Sequence, residues 1–256
     1  MTGESKVLLY SAEDSVARIT LNRPEKRNAL NDELIGALKD AIRAAAGEES
    51  VRVILIAGAG SDFCAGADLS ALQKISQASV AENEADARSL MELFSLMRQV
   101  PLPVVAAVHG KALAGGCGLA SACDIVLAAS SARFGYPEVK LGFVPAIVTA
   151  ILRRNVSEKR AFELLTRGVE IGAEEARELG LVNHVFGPDD FESEVRAYVA
   201  AYGKLSKSAV ALTKTLLYQI DGMTFTDAMA TGVDVNVIAR MTEDCQKGIA
   251  RFLKKS

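Results

Sequence analysis

Three short stretches of this chain carry groups suited to proton and anion chemistry. In "RFGYPEVKLGF", residues 133–143, Glu138 follows a proline and sits among Phe134, Tyr136, Val139, Leu141 and Phe143. A carboxylate in apolar surroundings holds its proton more tightly and serves as acid or base near neutral pH. Solvation is the commoner fate of a lone loop glutamate, so Glu138 by itself leaves both readings open. Two further stretches are nearly bare of side chains: "FCAGADL" at 63–69 and "LAGGCGL" at 113–119. Each follows a strand pattern and leads into a helix. Small residues let a ligand approach backbone N–H groups, and a helix N-terminus adds unpaired donors and positive potential. Two such ends side by side would hold one anionic oxygen, as an oxyanion hole or a phosphate site. Glycines that only permit tight helix–sheet packing are the competing explanation.

The phosphate version fails on spacing. The Gly-Lys pair at 110–111 precedes the glycines instead of closing a GxxxxGK[ST] loop, and "GGCG" does not supply GxGxxG. A nucleotide-binding protein is therefore the weaker reading.

The elements that must position these groups alternate. Residues 15–21 read as a strand stopped by Pro24, and 51–57 as a buried strand. "PVVAAV" and "DIVLAA" are two more buried strands, and "LVNHVF" at 181–186 is a short one. A helix follows Asn31 as N-cap, with Asp32 and Glu33 in its first turn and Gly47 at its end. Residues 83–99 are helical by period. Beyond about 145 the pattern is nearly all helical, over 145–154, 157–166, 173–179, 189–203, 206–220, 224–241 and 243–254. The pattern predicts an α/β core with a helical C-terminal region.

Composition narrows the function classes. With 256 residues, half of them hydrophobic, the chain holds one large domain or a domain plus an appendage. A net charge of −3 with mixed signs gives no basic surface for nucleic acid. No apolar run approaches the roughly 20 residues of a membrane span, and the N-terminus lacks a signal-peptide pattern. Cys64, Cys117, Cys123 and Cys245 form no CxxC pair and read as reduced thiols of a cytoplasmic protein. Two histidines, His109 and His184, lie near no second ligand, so no metal site is expected; each reads as the end of a strand.

"LNRPEKRNALN", "FCAGADL", "AGGCGLASACDIVLA" and "ARFGYPEVKLGFVP" occur in the order and spacing of the crotonase superfamily, the enoyl-CoA hydratase/isomerase family. The closing "MTEDCQKGIARFLKK" is similar to its last helix, and the resemblance covers nearly the whole chain. It implies a crotonase-like α/β core of repeated ββα turns, assigned here to residues 1–200. It also implies a helical C-terminal region at 201–256 used in trimerisation, giving a homotrimer or a hexamer as a dimer of trimers. The substrate it implies is an acyl-CoA thioester, with coenzyme A as part of the substrate and no separate cofactor.

Carried over by motif position, the N–H groups of Ala67 and Gly115 would stabilise an enolate-like thioester oxygen, and Glu138 would be the acid/base. A side chain at 115 would crowd the thioester. The adenine and pantetheine of CoA would lie against Ala29, Ala65, Asp68 and Leu69, its phosphates near Lys26 and Arg27, and its other contacts at Phe252 and Lys255. Asp68 also reads as the N-cap of a helix beginning near Leu69. Hydratases resembling this chain carry a second glutamate, which falls on Gly118 here, and "FVPAIVTAILRR" replaces a glycine-rich "PGxGGTxRL"-like segment. One glutamate adds water to a 2-enoyl thioester only if the water itself supplies the C2 proton. The same single glutamate suffices to move a double bond from C3 to C2. Hydration is the expected reaction, with isomerisation, decarboxylation and thioester hydrolysis as alternatives. A non-catalytic acyl-CoA-binding protein is the rival class. Acyl length would depend on the segment near 70–90.

Overall fold

A computed structural model describes residues 7–254, apart from the side chains of Leu69 and Leu72. Lys255 lies outside the described residues. The chain opens with a hairpin of β1 (Leu8–Glu13) and β2 (Val16–Leu21), then a 3-10 turn at Pro24–Lys26 and helix α1 (Asp32–Gly47). Next come β3 (Val53–Gly58), α2 (Leu69–Gln77), α3 (Val80–Gln99), β4 (Val104–Val108), β5 (Lys111–Leu113) and α4 (Gly115–Ala122). β6 (Ile125–Ala129) and β7 (Arg133–Gly135) lead into a 3-10 turn at Pro137–Leu141 and then α5 (Ala146–Asn155). The rest is α6 (Glu158–Arg167), β8 (Glu170–Gly172), α7 (Ala173–Glu178), β9 (His184–Phe186), α8 (Phe191–Ala200), α9 (Lys207–Gln219), α10 (Phe225–Met241) and α11 (Glu243–Leu253).

The main sheet runs β1-β2-β3-β4-β6-β9, and all its pairs are parallel except β1 with β2. A smaller sheet, β5-β7-β8, lies beside it. The apolar runs of β3 and β4 follow from burial on both faces of a parallel sheet. Ile54, Ile56, Val104 and Ala106 join the larger core with α1 and α3, whereas Val53, Leu55, Val105 and Ala107 meet Phe191, Val195 and Val199 of α8. The mixed α/β core with a helical C-terminal region is thus as expected. His109 follows a strand, in line with the sequence; His184 opens β9 instead of ending it.

The C-terminal helices are joined to the core by a buried cation. Lys214 on α9 donates to the carbonyls of Met97 (2.7 Å) and Leu102 (2.8 Å) and to the Asp124 carboxylate (2.7 Å). Asp124 also accepts from the Val104 N–H and the Tyr218 hydroxyl. Helix α10 has no buried residue. Phe225, Met229, Val233, Val237 and Met241 are exposed on it at four-residue spacing, so they form one apolar stripe.

Candidate active site

The loop after β3 does not wander: it extends one sheet and bridges to another segment. Cys64 donates to Lys111 and accepts from Leu113, so 63–65 run beside β5. Ala67 then bridges Leu30: Leu30 donates to the Gly66 carbonyl (2.7 Å) and Asp68 donates to the Leu30 carbonyl (3.0 Å). Because successive N–H groups of an extended chain point to opposite sides, the Ala67 N–H faces away from Leu30. No hydrogen bond engages it among the described residues. The partner segment is held by Asn28, which is fully buried at φ 54°. Its amide donates to the Ala59 and Asp62 carbonyls and accepts from Arg23 N–H. Arg23 pairs with Asp68 at 2.5 Å and donates to the Ala29 carbonyl. Asp68 caps α2, as expected, by accepting from Ser70 N–H at 3.0 Å. That N–H bond and the Arg23 guanidinium hold its carboxyl at about 2.

The second loop abuts the first. A Cβ at Gly66 would stand 3.1 Å from the Ala114 Cβ and from the Leu113 carbonyl oxygen. Ala114 is the N-cap of α4 and adopts φ 49°, ψ −125°, a strained conformation for a residue with a Cβ. It is held by its N–H to the Gly135 carbonyl (2.8 Å) and by its carbonyl to Gly118 N–H (2.9 Å). Gly115 is the first residue of α4, where an N–H has no partner within the helix, and no other group engages it among the described residues.

The bare stretch has more than one cause. A Cβ at Gly116 would lie 2.2 Å from the Cys64 carbonyl oxygen, and one at Gly118 would lie 2.3 Å from Val148 Cγ1. Those two glycines are required by packing. At Gly115 the one neighbour within 4 Å is Leu30 Cδ1 at 3.3 Å, so that position is open to approach from outside.

Glu138 lies on the 3-10 turn after β7, between Pro137 and the left-handed Gly142, whose N–H closes the turn. Its carboxylate is half-buried, and its Oε2 is fully buried with no hydrogen-bond partner. Burial raises its pKa above the ordinary 4.5. The group is close enough to the Cys117 thiol, in the first turn of α4, for its charge to raise the proton affinity there. Two ties fix this turn to α4. One is the Ala114–Gly135 bond. The other is Tyr136, fully buried, whose hydroxyl lies 2.8 Å from Ser121 Oγ.

Of the expected contact residues, Ala29, Ala65, Ala67 and Asp68 lie together on the two bridged segments. The Ala65 N–H is used by the Arg27 carbonyl and the Ala29 carbonyl by Arg23, which restricts what each offers a ligand. Lys26 and Arg27 are exposed on the adjacent turn. Leu69 opens α2, its side chain outside the described residues, and Phe252 is exposed on α11. Sequence reasoning does not single out Arg23, Asn28, Ser121 or Tyr136 as residues that form the site. The "RNA" run after Pro24 is the one local sign, because asparagine tolerates left-handed backbone. The three core thiols, Cys64, Cys117 and Cys123, are buried and free; Cys245 on α11 is partly exposed. Burial pushes the Cys64 thiol up to about 12 and Cys117 to about 11.

Comparison with known proteins bears on the family and the fold. The family model for enoyl-CoA hydratase/isomerase matches residues 11–256. A Thermus thermophilus relative with an enoyl-CoA hydratase designation is 41% identical over 94% of this chain and 95% of its own. The 2,3-dehydroadipyl-CoA hydratase of Escherichia coli is 36% identical over 97% of this chain and 96% of its own. The crystal structure of a Mycobacterium smegmatis enoyl-CoA hydratase superposes with a TM-score of 0.93 at 33% identity, covering 98% of this chain and 97% of the other. By the family match, by these identities over nearly full length and by its fold, the chain belongs to the enoyl-CoA hydratase/isomerase family.

Proposed function

We propose that the chain is an acyl-CoA enzyme in which the N–H groups of Ala67 and Gly115 receive the thioester oxygen while Glu138 moves a proton at C2. The observation that carries this reading is the buried, unpartnered Oε2 of Glu138. A buried polar atom with no partner costs stability, and sites of chemistry are where folds retain such groups. It weighs against a non-catalytic binding protein, which gains nothing from that cost. Charge that develops on the thioester oxygen would meet two backbone dipoles already oriented, worth about 3–4 kcal/mol per donor in comparable sites.

Water addition to a 2-enoyl-CoA is the first reading: the water oxygen bonds to C3 and keeps one proton, while Glu138 takes the other and delivers it to C2, which regenerates the carboxylate. Hydratase names among relatives support it. The second reading is 3-enoyl to 2-enoyl isomerisation, favoured by the absence of a second carboxylate at Gly118. CoA would lie along Ala29, Ala65, Asp68 and Leu69, with Lys26 and Arg27 toward its phosphates and Phe252 and Lys255 as outer contacts. Residues 201–256 would serve assembly into a trimer or a hexamer, which the exposed stripe on α10 supports. Among the described residues no helix is long and apolar enough to cross a membrane. Free buried thiols suit a reducing compartment such as the cytoplasm.

The test is deuterium exchange at C2 of a saturated acyl-CoA in D2O, together with product analysis on 2-enoyl-, 3-enoyl- and 3-hydroxyacyl-CoA. Glu138→Gln should abolish exchange and leave thioester binding intact. Exchange at the wild-type rate in the variant would remove Glu138 from the mechanism.

A further inference from the structure

We infer that Val148 sets the balance between proton transfer and water addition, by filling the space into which any side chain at position 118 would project. The inference rests on the reading of Glu138 as the acid/base of an acyl-CoA site.

A Cβ at Gly118 would stand 2.3 Å from Val148 Cγ1, 3.3 Å from Phe94 Cζ and 3.4 Å from Phe94 Cε2. Real Cβ contacts are not as short as the first of these, so something would have to move. Val148 is poorly able to do so. It is buried at 4% exposure in the first turn of α5, and a β-branched side chain in a helix has essentially one χ1 rotamer. Phe94, on α3, is 3% exposed. The wall opposite Gly118 is therefore apolar, closed and stiff. A carboxylate introduced there would collide with it and would also be buried without a partner. Position 118 is bare because position 148 is large.

This bears on the reaction. Hydration forms a C3–O bond from water, passes one water proton to a carboxylate and needs one proton delivered to C2. Isomerisation takes the C2 proton, shifts the double bond from C3–C4 to C2–C3 and returns the proton at C4. A second acid serves the first sequence and has no task in the second. Val148 excludes that acid, so both sequences fall to Glu138 alone and hydration is slowed relative to isomerisation.

Two experiments test this, one of them independent of activity. In the cycle Gly118→Ala, Val148→Ala and both, Gly118→Ala should lower Tm in the wild-type background. In the Val148→Ala background it should raise Tm or leave it unchanged, because alanine is the better helix former once the clash is gone. The same fall in both backgrounds overturns the steric coupling. The second experiment measures hydration of 2-enoyl-CoA against isomerisation of 3-enoyl-CoA. The folded double variant Gly118→Glu/Val148→Ala should raise that ratio by about 10²-fold, the lower end of what a placed acid/base supplies. Val148→Ala alone should not. A folded double variant with the wild-type ratio overturns the assignment of Val148. Loss of C2 exchange in Glu138→Gln would leave the reading of the site standing in that case, and persistence of exchange would overturn the site reading itself.

Discussion

Replacing Lys214 with methionine should loosen the attachment of the C-terminal helices to the core, and the size of the effect follows from the hydrogen bonds that its ammonium makes. Lys214 is 8% exposed, and the ammonium serves three acceptors: two carbonyls and the Asp124 carboxylate. Removing one partner of a buried ion pair costs about 3–5 kcal/mol. Asp124 keeps its bonds from Val104 N–H and Tyr218 hydroxyl, which pulls the figure toward the lower end. The carbonyls of Met97 and Leu102 each give up a bond with a net worth of about 1 kcal/mol, which pulls it back up. Methionine retains most of the apolar stem. The expected loss is about 4 kcal/mol, or a Tm lower by about 8–16 °C for a chain of this size. Differential scanning calorimetry of wild type, Lys214→Met, Asp124→Asn and the double variant reads both the loss and its coupling. The double variant should cost less than the sum of the singles, because the second substitution removes a charge already stranded. A Tm for Lys214→Met within about 2 °C of wild type would refute the reasoning, since no buried charge would then have been left unpaired.

Further outcomes are expected for the pH dependence set by Glu138 and for assembly. Because burial raises the Glu138 pKa, the acid limb of kcat/KM should lie above 4.5. The ionised carboxylate bears its burial cost only as pH rises from that ordinary value through the raised one, so Glu138→Gln should be more stable than wild type above this window and equal below it; a pH-independent difference in Tm would contradict this. In assembly, light scattering of the wild type should give a trimer or hexamer, and Val233→Arg, which places a charge in the α10 stripe, should give a monomer; an unchanged mass would show that the stripe is not the contact.

Much of the fold was legible because its elements carry local signals. β3, β4 and β6 announce themselves as apolar runs, since both of their faces are covered, whereas the mostly exposed edge strand β1 has no such run and is not among the strands the sequence predicts. Asn31 is readable as a cap and accepts from Leu34 N–H at 3.0 Å. Helix α3 begins three residues before the 83–99 that its apolar period gives, because the Ser79–Glu82 capping box sets its start and lies outside that period. The small sheet was not readable: β5, β7 and β8 have three residues each, too few for a period. At the site, the small-residue loops and Glu138 stand out by composition. Arg23, Asn28 and Tyr136 do not, because their partners are distant in sequence, as with Arg23 and Asp68 or Tyr136 and Ser121. Most opaque is the contact of Gly118 with Val148: a glycine shows that room is short without naming what took it.

The buried thiols make the molecule its own stopwatch. At pH 7 a thiol with a pKa near 11, like that of Cys117, is ionised in only about one molecule in ten thousand, and the folded protein shields even that fraction from an alkylating reagent. Cys64, Cys117 and Cys123 should therefore be labelled only when the core itself opens, whereas the partly exposed Cys245 should be labelled whenever α11 frays. Mass spectrometry of a labelling time course would yield two rates from one unmodified chain. Their ratio would say whether the terminal helices come away before the sheet does.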